Sequence, residues 1–234
     1  MSRVRDVASL RPQAFGSLIT HQRERRTTMK HVFPKTLVLG AVALAATLTL
    51  GVAVASPKVG APAPDFSVVD TAGETWSLAG LAGKKVILEW TNHDCPFVVK
   101  HYASGNMQAL QKEATAAGYV WLSVISSASG KQGQVSPAEA DDLTDSRSAA
   151  PTAVLLDTSG VMGRAYDAKT TPHMYIIDPD GTLVYMGGID DKPTTNQADI
   201  AGATNYVRLA MADLAAGNPI GTPVTRPYGC SVKY

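Results

Sequence analysis

"WTNHDCPFVVKHY", Trp90 to Tyr102, carries one of the two cysteines in the chain. It opens where "KKVILEW", residues 84 to 90, closes. That run is continuously β-favouring, without alternation, and predicts a central strand buried on both faces. Pro96 follows Cys95 at the first position of a helix, where its missing N–H costs nothing. "PFVVKHYASGNMQALQKEATAAG" has helical spacing, with a break near Ser104-Gly105 and a stop at Gly118. A cysteine between strand and helix meets free backbone N–H groups and the positive end of the helix dipole, which favour thiolate over thiol. His93 and Lys100 are expected to add to that field and Asp94 to oppose it. The plainer alternative is a buried structural cysteine.

Outward from this turn, residues 56 to 234 alternate strands and helices. "SPKVGAPAP" (56 to 64) reads as a linker or leading arm, and "DFSVVDTAGETWSL" as a hairpin. "YVWLSVISS" is a second central strand. Ser136-Pro137 then makes an N-cap and first turn for a helix through "AEADDLTD". "TAVLLDT" is a third strand and "SGVMGRAYD" a short helix. "PHMYIIDPDGTLVYMGGI" is two strands around a Pro-Asp-Gly turn. "ADIAGATNYVRLAMADLAAG" shows helical spacing of Ile200, Tyr206, Leu209, Ala210 and Leu214. This order implies an α/β sandwich around a mixed sheet. Trp76, Trp90 and Trp121 fall on strands or strand ends and read as core.

The 234 residues are 45% hydrophobic and 18% charged, the balance of a globular domain with a core. A net charge of +1 gives no basic footprint for nucleic acid. Two cysteines make neither a disulfide framework nor a structural zinc site. His93, Asp94, Cys95 and His101 suit copper or zinc by type. His101 lies more than one helical turn beyond Cys95, however, so joint ligation is not expected, and no metal or cofactor is assigned.

Residues 36 to 55, "TLVLGAVALAATLTLGVAVA", carry no charge, follow Lys30 and Lys35, and end on Ala53-Val54-Ala55. Residues 29 to 55 therefore read as a secretory signal cleaved after Ala55, and residues 1 to 28 as an over-extended start. An uncleaved membrane anchor over 36 to 55 is the alternative. If Met1 is the start, "RRTTMK" has some likeness to a twin-arginine signal. Each of these places the mature domain outside the cytoplasm, periplasmic or secreted.

Three features together resemble the thioredoxin-like redoxins, which include thioredoxins, secreted thiol-disulfide oxidoreductases and peroxiredoxins of the alkyl hydroperoxide reductase and thiol-specific antioxidant type. They are the strand–"HDCP"–helix turn, Glu89 six residues before Cys95, and Thr171-Pro172 in "TTPHMYIID". The resemblance spans about residues 60 to 215. It implies a thioredoxin-like three-layer sandwich with a mixed central sheet, an N-terminal hairpin and a central insertion, the domain running from 65 to 215. It implies that Cys95 is the attacking thiolate and Glu89 a buried acid assisting proton transfer. Asn92, His93, Pro96, Thr171 and Pro172 would line the substrate groove, with a cis bond before Pro172.

The chain departs from the family at three places. Val98 stands where C-x-x-C has its second cysteine. Asn92 stands where peroxiredoxins keep a threonine, and Pro172 where they keep an arginine. The resemblance also implies a partner for Cys95. Peroxiredoxins often take a resolving cysteine from a C-terminal tail, and "NPIGTPVTRPYGCSVKY" in the extended segment 216 to 234 carries Cys230. A structural disulfide or a solvent-facing thiol are the alternatives. The expected activity is thiol-disulfide exchange with a protein disulfide or dithiol. Peroxide reduction through a Cys95 sulfenic acid is the alternative, and an external thiol is the reductant in both. A redoxin-fold binding or metal-carrier module without turnover is the third possibility.

Overall fold

The computed structural model describes residues 56–234; the proposed signal sequence and the segment before it lie outside the described residues. The leading arm lies against a later strand, with the Gly60 N–H donating to the Leu183 carbonyl at 2.8 Å and Ala63 buried. A hairpin follows, β1 (Ser67–Val69) and β2 (Thr75–Ser77). Its turn is closed by Asp70, whose carboxylate accepts the Ala72 and Glu74 N–H groups and the Trp76 indole.

The central strand is β3 (Lys85–Trp90), and Cys95 N-caps α1 (Pro96–Ala103). After the break at Ser104 and Gly105 comes α2 (Asn106–Ala116), which leads into β4 (Tyr119–Ile125), parallel to β3. Helix α3 (Pro137–Ser146) starts with a capping box. The Ser136 hydroxyl takes the Glu139 N–H, and the Glu139 carboxylate takes the Ser136 N–H. Then come β5 (Ala153–Leu156), α4 (Val161–Ala165), the two-residue β6 (Thr170–Thr171), β7 (His173–Ile177) and β8 (Leu183–Gly187). The last elements are α5 (Tyr206–Ala215) and β9 (Cys230–Ser231).

The five-stranded sheet has the order β5-β4-β3-β7-β8, with β3, β4 and β5 parallel and β7 and β8 antiparallel to their neighbours. This is the thioredoxin-like arrangement, with α3, β5 and α4 lying between β4 and β7 in the chain. The period of two along β3 separates the layers. Val86, Leu88 and Trp90 pack with Phe66, Met162 and Tyr166 on the face covered by the hairpin and α4. Ile87 meets Val98, Met107, Leu110 and Val207 on the opposite face, under α1, α2 and α5.

One expected helix is split. Residues 197 to 202 form a 3-10 turn, Ala203 is extended, and α5 begins only after Asn205, whose side chain accepts the Arg208 N–H. The helical spacing from Ile200 onward thus spans two elements, because Asn205 offers the backbone a stronger start than continuation does. Among the described residues no helix is long and apolar enough to cross a membrane.

Leu88 is fully buried at the centre of β3. Leu88→Ala is expected to lower the free energy of unfolding by about 2–5 kcal/mol, measured by urea denaturation with an unchanged slope.

Candidate active site

β3 ends at Trp90, and the turn to α1 is built by Asn92. Its side-chain oxygen accepts the Asp94 N–H at 3.0 Å, its amide donates to the Gln132 carbonyl at 3.2 Å, and its own carbonyl accepts the Cys95 N–H. A Cβ on Gly133 would collide with this side chain, and Gly133 has φ +83°, so a glycine is required there. Asn92 thus shapes the loop with its amide and has no hydrogen bond to the sulfur.

Cys95 is fully buried at the N-terminus of α1. Two backbone segments close over its sulfur. From one side comes the Thr171 carbonyl, 3.0 Å from Sγ, at a Thr171–Pro172 peptide that is cis. From the other comes the Cys230 N–H, 3.4 Å from Sγ. The two segments are joined as strands, β6 to β9, with Thr171 opposite Cys230 and Thr170 opposite Ser231. A Cβ on Gly229 would strike the Thr171 carbonyl, and its φ of +132° is one that L side chains rarely adopt. Both cysteines are free thiols, and Cys230 is half-buried.

The two thiols differ in acidity. Burial pushes the Cys95 thiol up, but the Thr171 side chain, the Cys230 thiol and N–H, and the Val98 N–H of α1 outweigh it and hold the group below its ordinary value. The Thr171 carbonyl pulls the other way, since it can only accept the proton of the thiol form. Cys230 is pushed up to about 11, by burial first and then by its hydrogen bond to Cys95 and the charge there. Of the two, Cys95 is therefore the more readily ionised and Cys230 the weaker acid.

Glu89 is fully buried on β3 and accepts from four side chains: Tyr102 at 2.8 Å, Ser123 at 2.9 Å, Trp121 at 3.0 Å and Gln111 at 3.2 Å. Burial raises its carboxyl and the four donors only partly offset that. None of these bonds reaches Cys95; the link to α1 runs through Tyr102. His93 sits beside Asp94, with Nε2 3.3 Å from the carboxylate.

Lys100 does not strengthen the field at Cys95 as the sequence suggested. Its side chain is fully buried and directed away, with Nζ donating to the Lys192 carbonyl at 2.8 Å and 3.8 Å from Asp190. His101, equally buried, lies beside Tyr228 and Asp190. Among the described residues no group of three or more His, Cys, Asp or Glu side chains is arranged to hold a metal.

The sequence profile of the AhpC/TSA family matches residues 59–186, more than half of the chain. The chain belongs to the AhpC/TSA family. The matched span of this AhpC/TSA chain contains β3, Cys95 and the cis-proline loop, and stops before Cys230. No curated protein matches it. Among solved structures it is similar to an uncharacterized conserved protein from Geobacillus kaustophilus, with 25% identity and a TM-score of 0.63, covering 76% of this chain and 92% of that one. A hypothetical protein from Sinorhizobium meliloti 1021 is similar at 23% identity and a TM-score of 0.62, covering 77% and 96%. The exposed lipoprotein thioredoxin of Streptococcus pneumoniae is a more distant likeness, at 25% identity and a TM-score of 0.43, covering 59% of this chain and 96% of that one.

Two expectations follow. Gly229→Ala is expected to weaken the β6–β9 contact by on the order of 1–2 kcal/mol and to speed alkylation of Cys95 by iodoacetamide about tenfold; an unchanged rate would show that β9 does not cover the sulfur. The second concerns pH. Burial lowers His101 to about 4 and His173 to about 3, so both take up protons on unfolding at pH values between those and the ordinary histidine range. Their contribution to stability is complete above that range and is lost as the pH falls through it. Glu89, raised, works in the opposite direction. In urea titrations from pH 7 down to pH 4, His173→Asn should therefore lose less stability than the wild type; equal losses would contradict the assignment.

Proposed function

We propose that the chain is a thiol-based oxidoreductase in which Cys95 attacks a substrate disulfide and Cys230 of the same chain resolves the mixed disulfide. The observation that carries this is the Cys230 N–H 3.4 Å from the Cys95 sulfur, with the two thiols of unequal acidity. The Cys95 thiolate attacks one sulfur of the substrate, forming the mixed disulfide and expelling a thiolate. The Cys230 thiol gives up its proton to a departing thiolate and attacks Cys95. The bond to substrate breaks and a Cys95–Cys230 disulfide forms. The substrate gains two electrons, and an external thiol restores the pair.

The divided acidities suit each sulfur to its part, since the attacker must be ionised and the resolver need ionise only once a base is released beside it. Thr171 and Pro172 form one wall of the site, His93, Asn92 and Pro96 the turn beside it. Glu89, buried and raised, is assigned the storage of a proton behind α1. A location outside the cytoplasm rests on residues 29 to 55 as read above.

A second reading is favoured by the enclosure of Cys95: its sulfur is fully buried beneath β9, which suits a small oxidant. A peroxide would then be attacked by the thiolate, the O–O bond breaking to release water or an alcohol and leave a sulfenic acid. Cys230 would condense with that acid, expelling water and giving the same disulfide.

Peptide mapping without reductant after mild oxidation should find Cys95 joined to Cys230 within one chain; two free thiols would refute the two-cysteine reading. Paired assays with a disulfide substrate and with hydrogen peroxide distinguish the two reactions. Cys95→Ser should reduce both to background, whereas Cys230→Ser should retain the first step and accumulate a Cys95 mixed disulfide or sulfenic acid.

A further inference from the structure

The tail reaches Cys95 through a cluster that the chemistry above does not use. Lys100 and His101 on α1, Asp190 after β8 and Tyr228 in the tail are brought together beneath the surface. The side chains of Lys100 and His101 are wholly buried and that of Asp190 is 1% exposed. The Tyr228 hydroxyl donates to Asp190 Oδ1 at 2.5 Å and is 3.1 Å from His101 Nε2. Its ring meets Phe97 edge-on at 5.8 Å, with Lys100 Nζ 5.6 Å above it.

The direction of the bonds is fixed from the far end. Arg208, paired with Glu113, lies 3.5 Å from the Asn106 side-chain oxygen. Asn106 therefore turns its amide group to His101 Nδ1, 2.8 Å away. Burial keeps His101 neutral at physiological pH, so with Nδ1 accepting, the proton is on Nε2 and is donated to Tyr228. Tyr228 in turn donates to Asp190. Each member is oriented by the one before it, and Tyr228 alone belongs to the tail.

A buried lysine–aspartate pair is a poor source of stability, because desolvation offsets most of the attraction. What such a cluster does supply is a single accepted geometry. Helix α1 presents Cys95 at its N-terminus and, one to two turns on, grips Tyr228, two residues before Cys230. The same rigid element thereby sets the position of both sulfurs.

We propose that Tyr228, held by His101, Asp190 and Lys100, is a positioning residue that fixes Cys230 against Cys95 and so sets the effective concentration of the resolving thiol. This rests on the two-cysteine reading. The step it governs is the attack of Cys230 on a Cys95 mixed disulfide: the Cys230 S–H proton passes to the departing thiolate, the bond to the departing sulfur breaks, and the Cys95–Cys230 bond forms. Loss of the grip leaves Cys95 chemistry intact but makes the second attack less probable relative to release by an external thiol.

The test equilibrates the full chain with reduced and oxidised glutathione at pH 7, quenches with acid, and measures the Cys95–Cys230 disulfide and the glutathione mixed disulfide on Cys95 by mass spectrometry. Tyr228→Phe keeps the ring and loses the hydroxyl. It is expected to lower the equilibrium constant for the intramolecular disulfide about tenfold, with the mixed disulfide accumulating. His101→Leu should do the same, while His101→Gln, which retains a donor and an acceptor, should recover most of the wild-type value. The His101 pair carries the comparison if Tyr228→Phe does not fold. Tyr185→Phe removes a different tail contact, the 2.7 Å bond to Thr225, and should leave the constant near wild type. A Tyr228→Phe constant equal to wild type, or a Tyr185→Phe shift as large, would overturn the positioning role while leaving the two-cysteine reading standing. Absence of the intramolecular disulfide in the wild type at every glutathione ratio would overturn that reading, and the positioning role with it.

Discussion

One sulfur atom, closed between a carbonyl and an N–H from two chain segments far apart in sequence, governs the architecture. The Cys95 Sγ needs a donor-rich surround to carry charge away from water. The Thr171 side chain, the tail and the start of α1 supply it, while the Thr171 carbonyl, accepting from the thiol, limits how far the balance moves. For these groups to meet, β3 must end where α1 begins, β7 must be preceded by the cis-proline loop, and the tail must return across that loop. The sheet order β5-β4-β3-β7-β8 satisfies this by placing β3 and β7 side by side. The strand that delivers the cysteine and the loop that faces it are thus direct neighbours.

The tail is fastened along its whole course. Near β8, the Thr225 N–H donates to the Met186 carbonyl, the Met186 N–H donates to the Pro223 carbonyl, and the Thr225 hydroxyl takes the Gly188 N–H. Tyr228 enters the buried cluster, and β9 pairs with β6. Beyond it Val232 and Lys233 bond to Lys169 and Ala128, and Tyr234 reaches the Ala168 carbonyl. The second cysteine is consequently a fixed part of the folded site. Thiol pairs separated by two residues draw their proximity from a single helical turn; here the same proximity depends on tertiary contacts spread over a dozen residues.

Most of the fold was legible because its signals are local. The unbroken run "KKVILEW" marked the central strand, Cys95-Pro96 marked a helix start, and Ser136-Pro137 with Glu139 marked another. The split before α5 was missed because the periodicity from Ile200 to Tyr206 survives a short extended interruption, and only the Asn205 cap betrays it. The buried cluster was illegible for a different reason. Lys100 reads as adding to the field at Cys95 and His101 suits a metal ligand by type, and nothing in sequence indicates that a tyrosine more than a hundred residues later and Asp190 will converge on them. Charge-bearing residues are ordinarily exposed, so burial of three together is a tertiary fact. Asn92 was expected along the substrate groove; that its amide also braces the loop against Gly133 and Gln132 was illegible, because sequence does not bring those residues near.

The return of the tail also imposes an order in time. A chain emerges from the ribosome, or through a translocation pore, beginning at its N-terminus, and domains start to form as they appear. Cys95 therefore emerges 135 residues ahead of the N–H that completes its surround. Throughout that interval the strand–turn–helix unit can assemble, yet its sulfur is uncovered and open to any thiol or disulfide nearby. The nascent protein is most vulnerable to wrong pairing during its own synthesis, and a reductant or isomerase at the exit would matter more to its yield than to its finished stability.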